Sequence, residues 1–115
     1  MSPSSVSYRI LIFPKAQRQI RRLPGGARSK VLAAIDSLAE NPRPAGVKKL
    51  TATENHFRIR VGDYRIIYAI EDDFLVIFVI AAGHRKDIYR RLKALTAKYT
   101  PQYLLAMIEK DEEDT

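Results

Sequence analysis

Apolar and polar residues alternate along residues 57–61, and this pattern predicts a β-strand. Successive strand residues point to opposite faces, so Arg58 and Arg60 share one face and the apolar residues share the other. The Gly-Asp pair at 62–63 predicts a hairpin turn, because glycine adopts the positive φ that tight turns need. Residues 64–70 then form the predicted return strand.

The apolar pattern continues from this hairpin into a third strand and a helix. Arg65 lies on the face of the return strand opposite its tyrosines, and an acidic turn follows at 72–73. Residues 74–82 are apolar on both faces, which predicts a central strand covered on both sides. Residues 83–87 interrupt the pattern, and helical spacing follows over residues 88–98.

Two helices and a short extended segment are predicted before the hairpin. Residues 6–13 alternate as a strand, and residues 15–23 follow Pro14, which is favourable at a helix start. Residues 27–40 carry apolar side chains at helical spacing and end at an Asn-Pro-Arg-Pro segment. The two helices form a predicted helical hairpin packed on the sheet. An extended segment at 47–50 and a loop at 51–56 lead into the central strands.

A last helix is predicted over residues 102–110, before an acidic tail. The sequence therefore predicts a single small α+β domain with a mainly antiparallel sheet, an N-terminal helical hairpin and a C-terminal helix. Within it we distinguish a disordered start at 1–5, the main domain at 6–98, and the C-terminal helix and tail at 99–115.

The net charge of the chain indicates which kind of partner it binds. The net charge is +7, and residues 109–115 contribute −4, which leaves +11 on residues 1–108. A small domain this basic is expected to bind a polyanion, nucleic acid first, although a merely soluble basic surface is the alternative. The chain has no cysteine and no apolar run long enough to span a membrane. We expect a cytoplasmic protein without a membrane partner.

The candidate chemistry is cationic. Acidic residues are scattered apart from the turn at 71–73, and His56 and His84 lack metal-ligand spacing, so neither a metal nor a cofactor is predicted. Arginines beside a tyrosine suit metal-free cleavage of RNA, in which the substrate supplies a 2′-hydroxyl nucleophile. Guanidinium groups stabilise the phosphate charge. Nearby positive charge lowers a tyrosine pKa and favours the phenolate, which can accept a proton.

Two segments, GDYRIIY at 62–68 and GHRKDIY at 83–89, resemble the RelE toxins of bacterial toxin–antitoxin systems. The resemblance extends over about residues 8–92. It implies the RelE-like fold and a small cytoplasmic endoribonuclease that cleaves mRNA in the ribosomal 30S A site without a metal. It also implies inhibition by a RelB-like antitoxin, and binding of operator DNA only as the toxin–antitoxin complex.

The resemblance assigns roles to individual positions. Arg65 and Arg85 match the family's phosphate-stabilising arginines, and Tyr89 matches a tyrosine that orients or deprotonates the 2′-hydroxyl. Arg58 and Arg60 stand where the best-known members have lysines; since arginine keeps its proton, this departure favours Tyr89 as the base. The remaining predicted RNA contacts are Lys48, Lys49, His84, Lys86 and Arg90.

Alternatives remain open on the sequence alone. The related ParE toxins share the frame but inhibit DNA gyrase without nuclease activity, and a third possibility is a module that only binds antitoxin and operator DNA. Arg58 and Arg60 can be the solvated face of an edge strand. Arg65 can pair with an acidic residue, and Tyr89 can be a core aromatic residue.

Overall fold

A computed structural model describes residues 7–50 and 55–113, with side chains to residue 111. The predicted disordered start at 1–5, the first residue of the predicted strand 6–13, residues 51–54 of the predicted loop and the last two residues of the acidic tail lie outside this range. The elements, in chain order, are β1 Arg9–Ile12, α1 Pro14–Arg21, α2 Gly25–Leu38, β2 Lys48–Lys49, β3 His56–Val61, β4 Tyr64–Glu71, β5 Val76–His84, α3 Arg85–Lys98 and α4 Pro101–Glu113.

The five strands form one mixed sheet in the order β1-β5-β4-β3-β2. The β1 and β5 strands are parallel, and the remaining neighbours are antiparallel. Helices cover both faces. One core cluster joins α1 and α2 to the sheet, and a second joins α3 and α4 to its other face. The predicted α+β fold, with a helical hairpin packed on a mainly antiparallel sheet and a doubly covered central strand, is therefore confirmed.

A β-bulge in β5 changes which residues face α3. Tyr68 pairs with Val79 and Ile67 with Ala81, so Ile80 is the additional residue. Ile80 and Ala81 both belong to the core cluster on the α3–α4 face. Alternation resumes beyond the bulge, and Gly83 lies against the Ile88 side chain of α3, 3.6 Å from where a Cβ would sit. A small residue at 83 thus lets the first turn of α3 pack closely on the strand.

Several boundaries differ from the predicted ones, among them the two ends of β5 and the start of α2. The β5 strand begins at Val76, since Phe74 ends a 3₁₀ turn and Leu75 has a left-handed φ of 54°. At its other end the strand continues through His84, and α3 begins at once, where residues 83–87 were predicted to interrupt the pattern. The reason is local: the Nδ1 of His84 accepts a hydrogen bond from the backbone N–H of Lys86 and caps the helix. Helix α2 begins at Gly25, inside the predicted break.

The C-terminal helix packs on the same core as α3. Leu104 and Ile108 of α4 are buried against the sheet. Tyr99, at the end of α3, stacks on Phe13, with ring centroids 5.0 Å apart. No helix in the described part of the chain is long and apolar enough to cross a membrane.

His56 links the start of β3 to the junction between α3 and α4. It is 2% exposed, and its Nε2 lies 2.7 Å from the Tyr99 carbonyl oxygen. Because a carbonyl only accepts, Nε2 carries the proton. Nδ1 has no partner among the described residues. Burial therefore lowers the pKa of the imidazole, and the Tyr99 hydrogen bond only partly opposes this effect.

The fold should lose stability in mild acid because of His56. Because the pKa of His56 is lower in the folded chain, the unfolded chain binds this proton more tightly. The stability that neutral His56 contributes is therefore complete above pH ~6.5, the ordinary pKa of histidine, and is lost as the pH falls below it. From pH 7 to pH 5 we expect the free energy of unfolding in urea to fall by up to ~1.4 kcal/mol per pH unit from this group. His56→Gln, which keeps an N–H donor, should flatten the slope; an unchanged slope would contradict this assignment.

Candidate functional site

Strand pairing brings the predicted site residues to the α3 side of the sheet. Arg60 of β3 is opposite Arg65 of β4, and Arg58 is opposite Lys48 of β2. Their apolar neighbours face α1 and α2, so these basic side chains share the other face. Helix α3 begins beside them with Arg85 and presents Tyr89. We call Arg58, Arg60, Arg65, Arg85 and Tyr89 the cationic cluster.

Tyr89 is a surface residue within this cluster. Its side chain is 49% exposed, which rules out the core-aromatic alternative. The Arg58 Nη1 donates a hydrogen bond of 3.1 Å to the Tyr89 hydroxyl. The same guanidinium lies over the Tyr89 ring, 5.5 Å from its centroid. The phenol oxygen is thus accessible and held by a cation.

Arg65 is anchored to the hairpin turn. It is 7% exposed, and its Nη1 donates to the carbonyl oxygens of Gly62 at 3.0 Å and Tyr64 at 2.9 Å. Both acceptors are backbone carbonyls, so the alternative of an acidic partner has no support among the described residues. A buried guanidinium fixed in this way has less freedom to wrap a phosphate than the exposed arginines. Its clearest effect is on Tyr89.

The charges around Tyr89 shift its ionisation. The Arg65 side chain, a donor close to the hydroxyl, is the largest cause that lowers the pKa of the phenol, although the hydrogen bond of 3.1 Å to that hydroxyl comes from Arg58. Desolvation acts in the opposite direction, and the positive charges of Arg58, Arg65 and Arg85 lower the pKa further. Positive neighbours favour the phenolate, which is the form that accepts a proton. The cluster therefore keeps a larger fraction of Tyr89 in the proton-accepting phenolate form at neutral pH than an isolated tyrosine would have.

The start of α3 is fixed to the same turn. The backbone N–H of Arg85 donates to the Asp63 carbonyl oxygen at 2.9 Å. Gly62, with a φ of +61°, allows the turn to fold back so that its carbonyls meet both Arg65 and the helix. One turn therefore sets the positions of Arg65, Arg85 and Tyr89 relative to one another.

The other predicted RNA contacts lie around the cluster unevenly. Lys48 is exposed on the same face. Lys49 pairs with Phe57 and faces α1 and α2, away from the cluster. The His84 ring packs edge-on against Tyr64, 6.0 Å between centroids, on the side of α1, and its Nδ1 caps α3. Lys86 and Arg90 are exposed on α3, and Arg90 forms an ion pair with Asp87.

The structure adds a wall that the sequence analysis missed. A groove of about 690 Å³ runs from the cluster past β3 to α2. Its far side consists of Ala34 and Ser37 of α2 and the loop residues Pro44, Ala45 and Gly46. The only sequence signal was a glycine within a short Pro-Ala-Gly segment. Within the described residues, no group of three or more histidine or acidic side chains is placed to hold a metal ion.

Removing a cation from the cluster should raise the pKa of Tyr89. The titration of Tyr89 is isolated as the ultraviolet difference between the wild type and Tyr89→Phe. Arg58→Gln removes a charge and a donor, so we expect the midpoint to move to higher pH. Arg91→Gln, an exposed position of α3 outside the cluster, is the matched control and should leave the midpoint in place. Equal midpoints in the Arg58 variant and the wild type would contradict the assignment.

Comparison with known proteins places this geometry in a family. A family model described as the ParE toxin of type II toxin–antitoxin systems matches residues 10–89. The chain is 32% identical over 88 residues to the toxin RelE of Mycobacterium tuberculosis. This match covers 72% of the chain and 87% of that toxin. It is 29% identical over 89 residues to the toxin RelG of the same organism, covering 73% and 98%.

Solved structures give the same result. The archaeal RelE in a RelE–RelB complex from Pyrococcus horikoshii OT3 matches with a TM-score of 0.62 and 30% identity, over 69% of this chain and 96% of that one. These matches leave more than a quarter of the chain uncovered, and the family model ends before α4 begins. The cationic cluster lies within the region that the family model matches.

Proposed function

Because the chain belongs to the RelE/ParE family of type II toxins, with RelE toxins among its relatives, we propose that it is a ribosome-dependent mRNA endoribonuclease. It cleaves mRNA in the A site of the 30S subunit and so inhibits translation. The observation that carries this proposal is Tyr89, a half-exposed phenol hydrogen-bonded to Arg58 and with a lowered pKa. A family toxin that acts only by binding has no need of an activated phenol.

The reaction follows from the groups in the cluster. The Tyr89 phenolate takes the proton of the 2′-hydroxyl, and the 2′-oxygen forms a bond to phosphorus. The bond from phosphorus to the 5′-oxygen breaks, and the leaving oxygen takes a proton from water. The products are a 2′,3′-cyclic phosphate and a 5′-hydroxyl. The residues alone supply this chemistry, so the proposed step uses no metal or cofactor.

The arginines divide the remaining work. Arg58, Arg60 and Arg85 are at least partly exposed and stabilise the negative charge that grows on the phosphate. Arg85, at the start of α3, also assists the leaving 5′-oxygen. Arg65, fixed to the hairpin turn, favours the phenolate form of Tyr89. Since arginine stays protonated, neither Arg58 nor Arg60 replaces Tyr89 as the base.

Lys48, Lys86 and Arg90 surround the cluster and contact the RNA backbone. Lys49 and His84 lie on the other side of the sheet, and there they contact ribosomal RNA. Such contacts are sequence-independent and weaken as salt rises.

The proposed partner is a RelB-like antitoxin. The relative from Pyrococcus horikoshii forms a complex with RelB, and a RelE toxin must be held inactive in the cell that makes it. We propose that this chain is neutralised in the cytoplasm in the same way and contacts operator DNA only within that complex.

A second function has one observation in its favour. The matching family model carries the ParE description, and ParE-like toxins inhibit DNA gyrase without cleaving RNA. The test is a parallel assay of the purified chain on translating ribosomes with mRNA and on gyrase supercoiling. Cleaved mRNA with 2′,3′-cyclic phosphate ends and unaffected supercoiling supports the nuclease. Intact mRNA with inhibited supercoiling establishes the gyrase inhibitor.

A further inference from the structure

Part of the outer edge of β3 is open. The β2 strand has only two residues, which pair with Phe57 and Arg58. Continuing that register would place Gly46 opposite Arg60. Gly46 has a φ of +87°, a left-handed conformation that turns the chain away from β3. Among the described residues, no strand therefore pairs with Arg60 on this edge.

This open edge presents one backbone donor and one backbone acceptor. Val61 and Tyr64 flank the two-residue turn and are paired across the hairpin, so they form its terminal hydrogen-bonded pair. Antiparallel strands alternate, so the N–H and C=O of Arg60 point to the outer edge. Leu50, which donates to the His56 carbonyl oxygen on that edge, fits the same alternation. Within the described part of the chain, no backbone group pairs with the N–H or C=O of Arg60 on that edge.

The groove beside this edge has a positively charged end and an uncharged end. Its cationic end is lined by Lys48 and by four members of the cluster: Arg58, Arg60, Arg65 and Tyr89. Small uncharged residues line the other end: Ala34, Ser37, Pro44, Ala45 and Gly46. Its volume of about 690 Å³ is within the ~300–1,000 Å³ of sites that enclose small organic ligands. The space thus exceeds what one phosphate group at the cationic end would fill.

We propose that the uncharged end is a nucleobase subsite, which takes the base next to the scissile phosphate. This inference rests on the proposed function. Single-stranded RNA alternates anionic phosphates with flat, neutral bases whose edges carry adjacent donors and acceptors. The adjacent N–H and C=O of Arg60 match such an edge, and the small wall residues leave room for the ring. The subsite gives the enzyme a base preference that its arginines cannot provide.

The geometry favours a base over a peptide strand. Adding a strand to a sheet edge uses a row of outward N–H and C=O groups. Between the end of β2 pairing at Arg58 and the turn at Gly62, Arg60 is the one described residue whose N–H and C=O point to the outer edge. One outward residue suits the edge of a single base.

The test fills the uncharged end without touching the cations. Ser37 is an exposed residue of α2 that lines the groove, and Ser29 is an exposed residue of the same helix that does not. Ser37→Tyr is therefore compared with Ser29→Tyr. The first probe is a hexamer of 2′-O-methyl uridine, which lacks the nucleophilic hydroxyl. The second is a hexamer of the same 2′-O-methyl ribose phosphates without the bases. Binding is measured by fluorescence anisotropy at low salt.

Wild type and Ser29→Tyr should bind the uridine hexamer roughly tenfold more tightly than the abasic one, as expected for one bound base. Ser37→Tyr should abolish this difference and leave the affinity for the abasic hexamer unchanged. Equal binding of both hexamers by the wild type would overturn the proposal, as would a preference retained in Ser37→Tyr or an equal loss of both affinities. Because no cleavage is involved, a base preference without nuclease activity would reject the proposed function and keep the subsite.

Discussion

Tyr89→Phe should slow the cleavage of ribosome-bound mRNA by ~10²–10⁴-fold, the usual contribution of general acid–base catalysis. The variant removes only the hydroxyl that Arg58 holds at 3.1 Å. The ring that Arg58 covers remains, so RNA binding should change little. Since Tyr89 is 49% exposed, the free energy of unfolding should change by less than ~0.5 kcal/mol. The measurement is the single-turnover cleavage rate at saturating enzyme.

Tyr103→Phe is the matched control. Tyr103 is a second exposed tyrosine, on α4 and outside the cluster, so its variant should cleave at the wild-type rate. If Tyr89→Phe retained more than about a tenth of the wild-type rate, Tyr89 would not be the base, because base catalysis contributes at least ~10²-fold.

Leu104→Ala should lower the free energy of unfolding by ~2–5 kcal/mol, the cost of a large cavity in a packed core. Leu104 is fully buried, although it lies in α4, beyond the residues that the family model matches. It shares a core cluster with Ile88, which anchors the first turn of α3. We therefore expect α4 to be an integral part of the fold. Urea unfolding followed by circular dichroism measures the effect.

Leu105→Ala is the control that separates the effect of a cavity in the core from the effect of removing a leucine from α4. Leu105 is the next residue of the same helix and is 36% exposed. Its replacement should cost less than ~0.5 kcal/mol, since truncating a side chain that reaches the surface leaves no enclosed cavity. Similar losses in both variants, or a loss below ~1 kcal/mol for Leu104→Ala, would show that α4 does not pack as described.

Periodicity was sufficient to predict the sheet and the helices. Alternation in β3 placed Arg58 and Arg60 on one face because the apolar residues between them had to be buried against α1 and α2. The two-sided apolar run of β5 correctly indicated a central strand. The grouping of Arg58, Arg65, Arg85 and Tyr89 was also predictable, since one short turn joins the strands and α3 begins beside it.

The remaining features depend on conformations and contacts that a residue pattern does not encode. The left-handed Leu75 and the bulge in β5 are single-residue irregularities set by packing. The burial of Arg65 depends on the turn carbonyls that accept its hydrogen bonds. Gly46 opens the groove only because β2 stops beside Arg58. The register of β2 and the packing of His84 on Tyr64 keep Lys49 and His84 away from the cluster.

The most direct test of the account uses an mRNA with a single 2′-deoxynucleotide at the cleavage site of its A-site codon. The all-ribose mRNA and the substituted mRNA are bound to stalled ribosomes, incubated with the toxin and mapped by primer extension. If the 2′-hydroxyl is the nucleophile, we expect a cut within the A-site codon of the ribose mRNA and no cut where that hydroxyl is absent. Cleavage of both mRNAs at that position would contradict attack by the 2′-hydroxyl, and two intact mRNAs would contradict the nuclease itself.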